Sequence, residues 1–265
     1  LRLSARWTAL QCLQHGVTTV LDHHASYGVI GGALEIMREE FEGCGLSSAV
    51  CFEVSGRHGA AAAHAAIQEN LAFIPGARTA RLFGLHAAFT LDDHTLAQVR
   101  DHAPPDCGFH VHCAEDAIDG GGVIERLAAF GILRPSSLLV HGVHLTDDEL
   151  RRVAAAGAAI IHCPESNMHN GVGAFDLVRA AGVGVRVAAG TDGLHSSMLR
   201  SYAAAYLLSR HVQRSPCVGY EETRAMYTAT QALAARLFPD IGAELQAGRR
   251  ADIAVYVAKE RHVGI

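Results

Sequence analysis

The chain has 265 residues, with 22 Lys and Arg against 27 Asp and Glu. The resulting net charge of −5 excludes a generally basic nucleic-acid binder. With 49% hydrophobic and 18% charged residues, disorder is excluded too, and the length suits one large domain or two small ones.

The chain opens on Leu1 inside a helix-like stretch, residues 1–15. From residue 17 short β-branched runs alternate with longer Ala- and Leu-rich runs. The predicted strands are 17–23, 46–53, 81–87, 108–113, 137–141, 158–163 and 183–189. Helical patterns lie near 32–43, 60–74, 92–103, 122–130, 147–156, 173–182 and 198–211. Thr146 to Glu149 reads as a capping box that starts one of these helices. Gly16, Gly45, Gly157 and Gly182 each fall between a helix and a strand, where a left-handed C-cap is wanted. Residues 220–237 read as a further helix, and 248–257 as a turn followed by a strand.

Seven β–α units in regular alternation imply a parallel sheet of the α/β class. A (β/α)8 barrel of the TIM type needs an eighth strand, and a helix with no strand before it opens this chain. The expectation is therefore a barrel, residues 1–240, holding strands 2 to 8, with the first strand upstream of Leu1. Residues 241–265 are expected to be part of a small C-terminal β-domain. A seven-strand sheet that does not close leaves backbone edges unpaired.

No spanning helix is expected, because no uncharged apolar run reaches the required length. The seven cysteines are odd in number and form no C-x-x-C pair. That pattern favours a reducing compartment, and the expected location is cytoplasmic.

The 17 histidines carry the chemistry. His110 and His112 end the fourth predicted strand, with Glu115 just beyond. His141 and His144 follow the fifth, His162 and Asn167 the sixth, Asp192 the seventh. On a barrel these strand ends form the catalytic face. Imidazoles and a carboxylate converging there suit one divalent cation, zinc first and ferrous iron second. In His112-x-x-Glu115 the histidine can hold the metal while the glutamate moves a proton from water to a leaving amine. Asp192 suits both a metal ligand and the acceptor of the water's proton. The protease motif His-Glu-x-x-His, a nucleophile elbow and a P-loop are absent from the sequence. The Gly120–Gly122 run reads as a flexible loop.

These ordered motifs carry a family resemblance. Gly16-Val-Thr-Thr-Val-Leu-Asp22, His112-x-x-Glu115, His141-Gly-Val-His144, His162-Cys-Pro-x-Ser-Asn167, Gly190-Thr-Asp192-Gly and Gly248-x-x-Ala-Asp252 resemble the amidohydrolase superfamily, in its deaminase and chlorohydrolase branch. Asp22-His-His-Ala-Ser26, Phe52-Glu-Val-Ser55, Glu69-Asn70 and Gly84-Leu-His86 resemble SsnA-type aminohydrolases more narrowly, although Gly56 stands where Asp is expected.

The resemblance implies a mononuclear metal-dependent hydrolase of non-peptide C–N bonds that deaminates an aminated heterocycle. The metal set it implies is His112, Asp192 and His141, and the catalytic set Glu115, Asp192 and His141. Substrate contacts are implied for Arg57, His86 and Asn167. Two-metal relatives bridge their ions with a carbamylated lysine, and the single lysine here, Lys259, lies beyond the barrel. The family's first strand also carries a His-x-His metal pair that these residues lack. Two readings stand: the pair lies upstream of Leu1, or the site is built without it. Chlorohydrolase or amide hydrolase activity, and a non-catalytic barrel scaffold, are the alternatives. The expected partner is a small-molecule substrate, with no nucleic acid and no membrane, and a homo-oligomer is left open.

Overall fold

The computed structural model describes residues 1–77, 81–119, 121–241, 244 and 246–257. Lys259 and Gly120 lie outside the described residues. Helix α1 spans Arg2–Gln14 and is followed by β1, Thr19–His24. Then come α2 (Ala33–Gly43), β2 (Ser47–Phe52), α3 (Ala60–Phe73), β3 (Leu82–Leu85), α4 (Asp93–His102) and β4 (Gly108–Cys113). The second half runs α5 (Val123–Ala129), β5 (Leu138–His141), α6 (Asp147–Ala155), β6 (Ala159–His162), α7 (Pro164–Asn170), α8 (Leu177–Val183) and β7 (Arg186–Ala189). It ends with α9 (Met198–Gln213) and α10 (Tyr220–Leu237).

All seven strands pair in parallel and in chain order. The β1–β2 ladder joins the five strands from β3 to β7 through one parallel bridge, Val54 to Leu85. Val54 N–H donates to Gly84 O at 3.1 Å, and His86 N–H donates to Val54 O at 2.9 Å. Asn70, fully buried on α3, reinforces this junction by accepting from Phe52 N–H at 2.9 Å and donating to Phe52 O at 2.8 Å. A Cβ on Gly84 would meet Phe52 O at 2.4 Å, so glycine is required for the close approach of β2 and β3.

The neighbouring Glu69 caps α2, accepting from Gly32 N–H at 2.8 Å and Leu34 N–H at 2.9 Å. The Thr146–Glu149 capping box forms as expected at the start of α6. Gly16, Gly45 and Gly157 adopt positive φ. Gly182 instead lies inside α8, and the left-handed C-cap falls to Gly184, so β7 begins three residues later than expected.

Apolar side chains alternate between two layers. One, including Val50, Phe52, Phe83, Leu85, Phe109, Val111 and Ile160, packs the outer face of the sheet against the helices. The other, including Ala49, Cys51, Leu82, Leu138, Val140 and Ile161, fills the inner face. Leu233, Leu237, Phe238 and Ile241 enter that inner layer from the C-terminal helix. Helix α10 lies along β7, where Ala189 N–H donates to Thr230 Oγ1 at 2.9 Å. The edge expected to stand open is therefore partly satisfied by a helix. The strand expected within 248–257 does not form. Arg250 makes one bridge to Ile241, and the chain beyond it is held by Thr18 on Asp252 and by Tyr256 on His15 O, without a ladder. Among the described residues, no helix is long and apolar enough to cross a membrane.

Candidate metal-binding active site

The inner faces of the strands end in a ring of polar side chains. His23 comes from β1, Glu53 follows β2, His86 follows β3, and His110 and His112 lie on β4. His141 closes β5, and Asp192 follows β7. Ala114, His141 and Asp192 hold positive φ of 47°, 76° and 54°. Non-glycine residues pay for that conformation, and here they turn the chain at the ends of β4, β5 and β7.

His112 is the hub. Its ring centroid lies 4.9 Å from His23, 5.4 Å from His86 and 5.2 Å from His141. The Nδ1 of His112 stands 3.1 Å from Nε2 of His141. On its far side His141 is fixed by Asn167, whose Oδ1 accepts from Nδ1 at 2.8 Å. That bond puts the His141 lone pair on Nε2, which faces the site. Glu115 Oε2 lies 3.5 Å and Asp192 Oδ2 3.9 Å from the same Nε2. The ligand atoms of His112, Glu115 and His141 all fall within 4.8 Å of one another.

Two nitrogens on one tetrahedral zinc, each at roughly 2.0–2.1 Å, lie some 3.3 Å apart, ~0.2 Å from the spacing seen here. Two imidazole lone pairs converge beside carboxylates, so the donor set fits a divalent cation. Among these acids Glu115 stands nearer the histidine pair than Asp192. Asp192 is held by Ser166 Oγ–H, donated to Oδ2 at 2.6 Å, and by Gly193 N–H, donated to Oδ1 at 2.6 Å. Asn170 Nδ2 donates to Glu115 Oε1 at 3.1 Å.

A ligand imidazole must be neutral, and burial disfavours the charged form of His112, His110, His23 and His86. It pushes His112 and His110 well below the ordinary histidine range, and the neighbouring histidines add to the effect. His23 is lowered chiefly by burial, and His86 is lowered to about 4 by the same cause.

Of the expected substrate contacts, His86 is brought to the ring, its Nδ1 paired with Thr90 Oγ1 at 2.9 Å. Arg57 stands half-exposed at the mouth, tied to Glu53 at 2.7 Å and to Ser55 Oγ at 3.1 Å. Asn167 is fully buried behind His141, where its Oδ1 orients that ring.

Sequence reasoning gave no role to Glu53, Ser166 or Glu165. Glu165 binds His195 and, at 2.7 Å, Arg200, which ties the loop after β6 to the loop bearing Asp192. Their signal was adjacency: each sits within motifs already singled out by resemblance, and His195 lies three residues past Asp192.

Residues 5–262 match the Amidohydrolase family, and the chain belongs to that family. Among its relatives, a 5-methylthioadenosine/S-adenosylhomocysteine deaminase of Pelotomaculum thermopropionicum is 30% identical over 96% of this chain and 61% of its own length. The Pyrococcus abyssi protein of the same name is 36% identical over 54% of this chain and 34% of its own. The chain thus spans between one third and about three fifths of these curated relatives. Solved structures share the fold. A zinc-bound adenosine deaminase of Xanthomonas campestris matches 89% of this chain and 57% of its own, with TM-score 0.74 and 22% identity. An atrazine chlorohydrolase variant of Arthrobacter aurescens with zinc matches 94% and 62%, with TM-score 0.75 and 21% identity.

Proposed function

We propose that the protein hydrolyses a non-peptide C–N bond, releasing ammonia from an aminated heterocycle. The observation that carries this reading is the convergence of His112, Glu115 and His141 beside Asp192 at the strand ends. The deaminases among its relatives support the substrate class.

His112, His141 and Asp192 are the residues that would hold one divalent metal, with zinc favoured by the two zinc-bound structural relatives. When bound, the metal supplies the Lewis acidity that makes a water nucleophilic near neutral pH. Asp192 takes the proton of the attacking water, and Ser166 fixes the direction of its carboxylate. Glu115, 3.5 Å from His141, delivers a proton to the ring nitrogen or to the departing amine. The C–N bond then breaks and ammonia leaves. His141, its tautomer set by Asn167, would present its Nε2 lone pair to the metal. Arg57 and His86 line the mouth as substrate contacts. The substrate is a small molecule, and the net charge of −5 argues against nucleic acid. Seven unpaired cysteines favour a cytoplasmic location.

The test is ammonia release from a panel of aminopurine nucleosides, including 5-methylthioadenosine, together with aminopyrimidines and aminotriazines, using zinc-loaded protein. Release that disappears with His112→Ala is the expected result. Chloride release from chlorotriazines without ammonia would move the activity to dehalogenation, and no turnover of any member would support a non-catalytic barrel.

A further inference from the structure

A second cluster lies on the other side of His112. His23, Glu53 and His112 also bring one ligand atom each within 4.8 Å of one another. Two of the three belong to β1 and the end of β2, outside the set used above. His23 is oriented as a ligand is. Its Nε2–H donates to Leu85 O at 3.1 Å, which leaves Nδ1 as a lone pair. Glu53 is buried, at 5% exposure, and Arg57 engages its Oε1 at 2.7 Å. The His23 ring meets His112 edge-on, with centroids 4.9 Å apart. Two imidazoles and a carboxylate with open positions form a donor set like that of a catalytic zinc.

We propose that His23, Glu53 and His112 form a second station for a divalent cation, with His112 shared between the two stations. A neutral imidazole offers one lone pair, so His112 serves one station at a time. The chain therefore holds one ion in two alternative positions. In one, His141 and Asp192 complete the set, with Glu115 beside them. In the other, His23 and Glu53 do so.

The experiment is Co2+ binding to the 265-residue chain by equilibrium dialysis and visible absorption, with circular dichroism confirming the fold of each variant. Wild type should take one equivalent. His141→Asn with Glu115→Gln should keep that equivalent, with an altered visible spectrum. Adding Glu53→Gln should weaken binding by roughly tenfold or more. His23→Gln, which can still donate to Leu85 O, should reproduce the Glu53 effect, and His112→Ala should remove the ion altogether. Loss of the ion in His141→Asn with Glu115→Gln would overturn the second station, as would binding indifferent to both His23→Gln and Glu53→Gln. An unchanged spectrum in the double variant, followed by loss on adding Glu53→Gln, would support this station and count against the His141 side used for catalysis.

Discussion

Asn167 acts on the site through one bond. Removing its carbonyl frees His141 to rotate and to change tautomer. Asn167→Ala should therefore weaken zinc binding by roughly 10–100-fold, measured by competition with a chromophoric chelator, while His112 remains in place. Unchanged affinity would make the Asn167–His141 bond a packing detail. Glu115→Gln keeps a side chain of the same shape but one that cannot carry the proton. Turnover should fall by roughly 10²–10⁴-fold on a working substrate, read from initial rates of ammonia release. His112, Glu115, His141 and Asp192 were legible because each follows a strand-like run, and strand ends meet on one face of a barrel. Asn167 was legible as part of the same face, but sequence does not say which side chain stands in front and which behind. Glu53 carried no readable role, and the closeness of His23 to His112 was not readable, because both depend on the curvature of the sheet across the strands between them.

At the scale of elements, the β2–β3 junction hangs on few interactions. Among the described residues one bridge joins the two strands, and Asn70 spans it from α3. Asn70→Leu would leave Phe52 N–H and C=O without their side-chain partners, each costing about 1–3 kcal/mol. The midpoint of urea unfolding should drop accordingly, whereas a change confined to activity would contradict the argument. The alternation of seven strands with helices was readable from β-branched runs, and the capping box from Thr146 and Glu149. Helix α7 was not read, because Pro164-Glu-Ser-Asn resembles a loop, although proline at the first helical turn is compatible with a helix start. Helix α10 was read as a helix, but its seat along β7 was not, since nothing local marks Leu233 and Leu237 as inner-layer residues. Leu237→Ala should cost about 2–5 kcal/mol, as for a buried barrel residue, and thermal unfolding checks it.

Across the whole molecule, the metal-free protein carries a cost in its neutral histidines. His23, His24, His86, His110, His112 and His162 are all held below the ordinary histidine value, chiefly by burial. The unfolded chain takes up protons at these positions as pH falls through about 6.5, while the folded chain does not. Stability is therefore present above that pH and is lost below it, down toward the folded values, which for His86 is about 4. Asp22 acts in the opposite sense, because burial raises its carboxyl to about 6 and acid relieves the buried charge. Asp119 is raised by burial as well, and two carboxylates against six imidazoles leave the histidines in control. The melting temperature of the metal-free chain should fall steeply between pH 7 and 5, and a flat profile would mean the ring is already hydrated or charged. The claim on which the account turns is that His112 is the centre of a metal site. It is tested most directly by anomalous diffraction at the zinc edge from crystals grown with zinc. The account predicts a peak at roughly 2.0–2.1 Å from a His112 nitrogen. Zinc bound only at surface histidines, with none within bonding distance of His112, would contradict it.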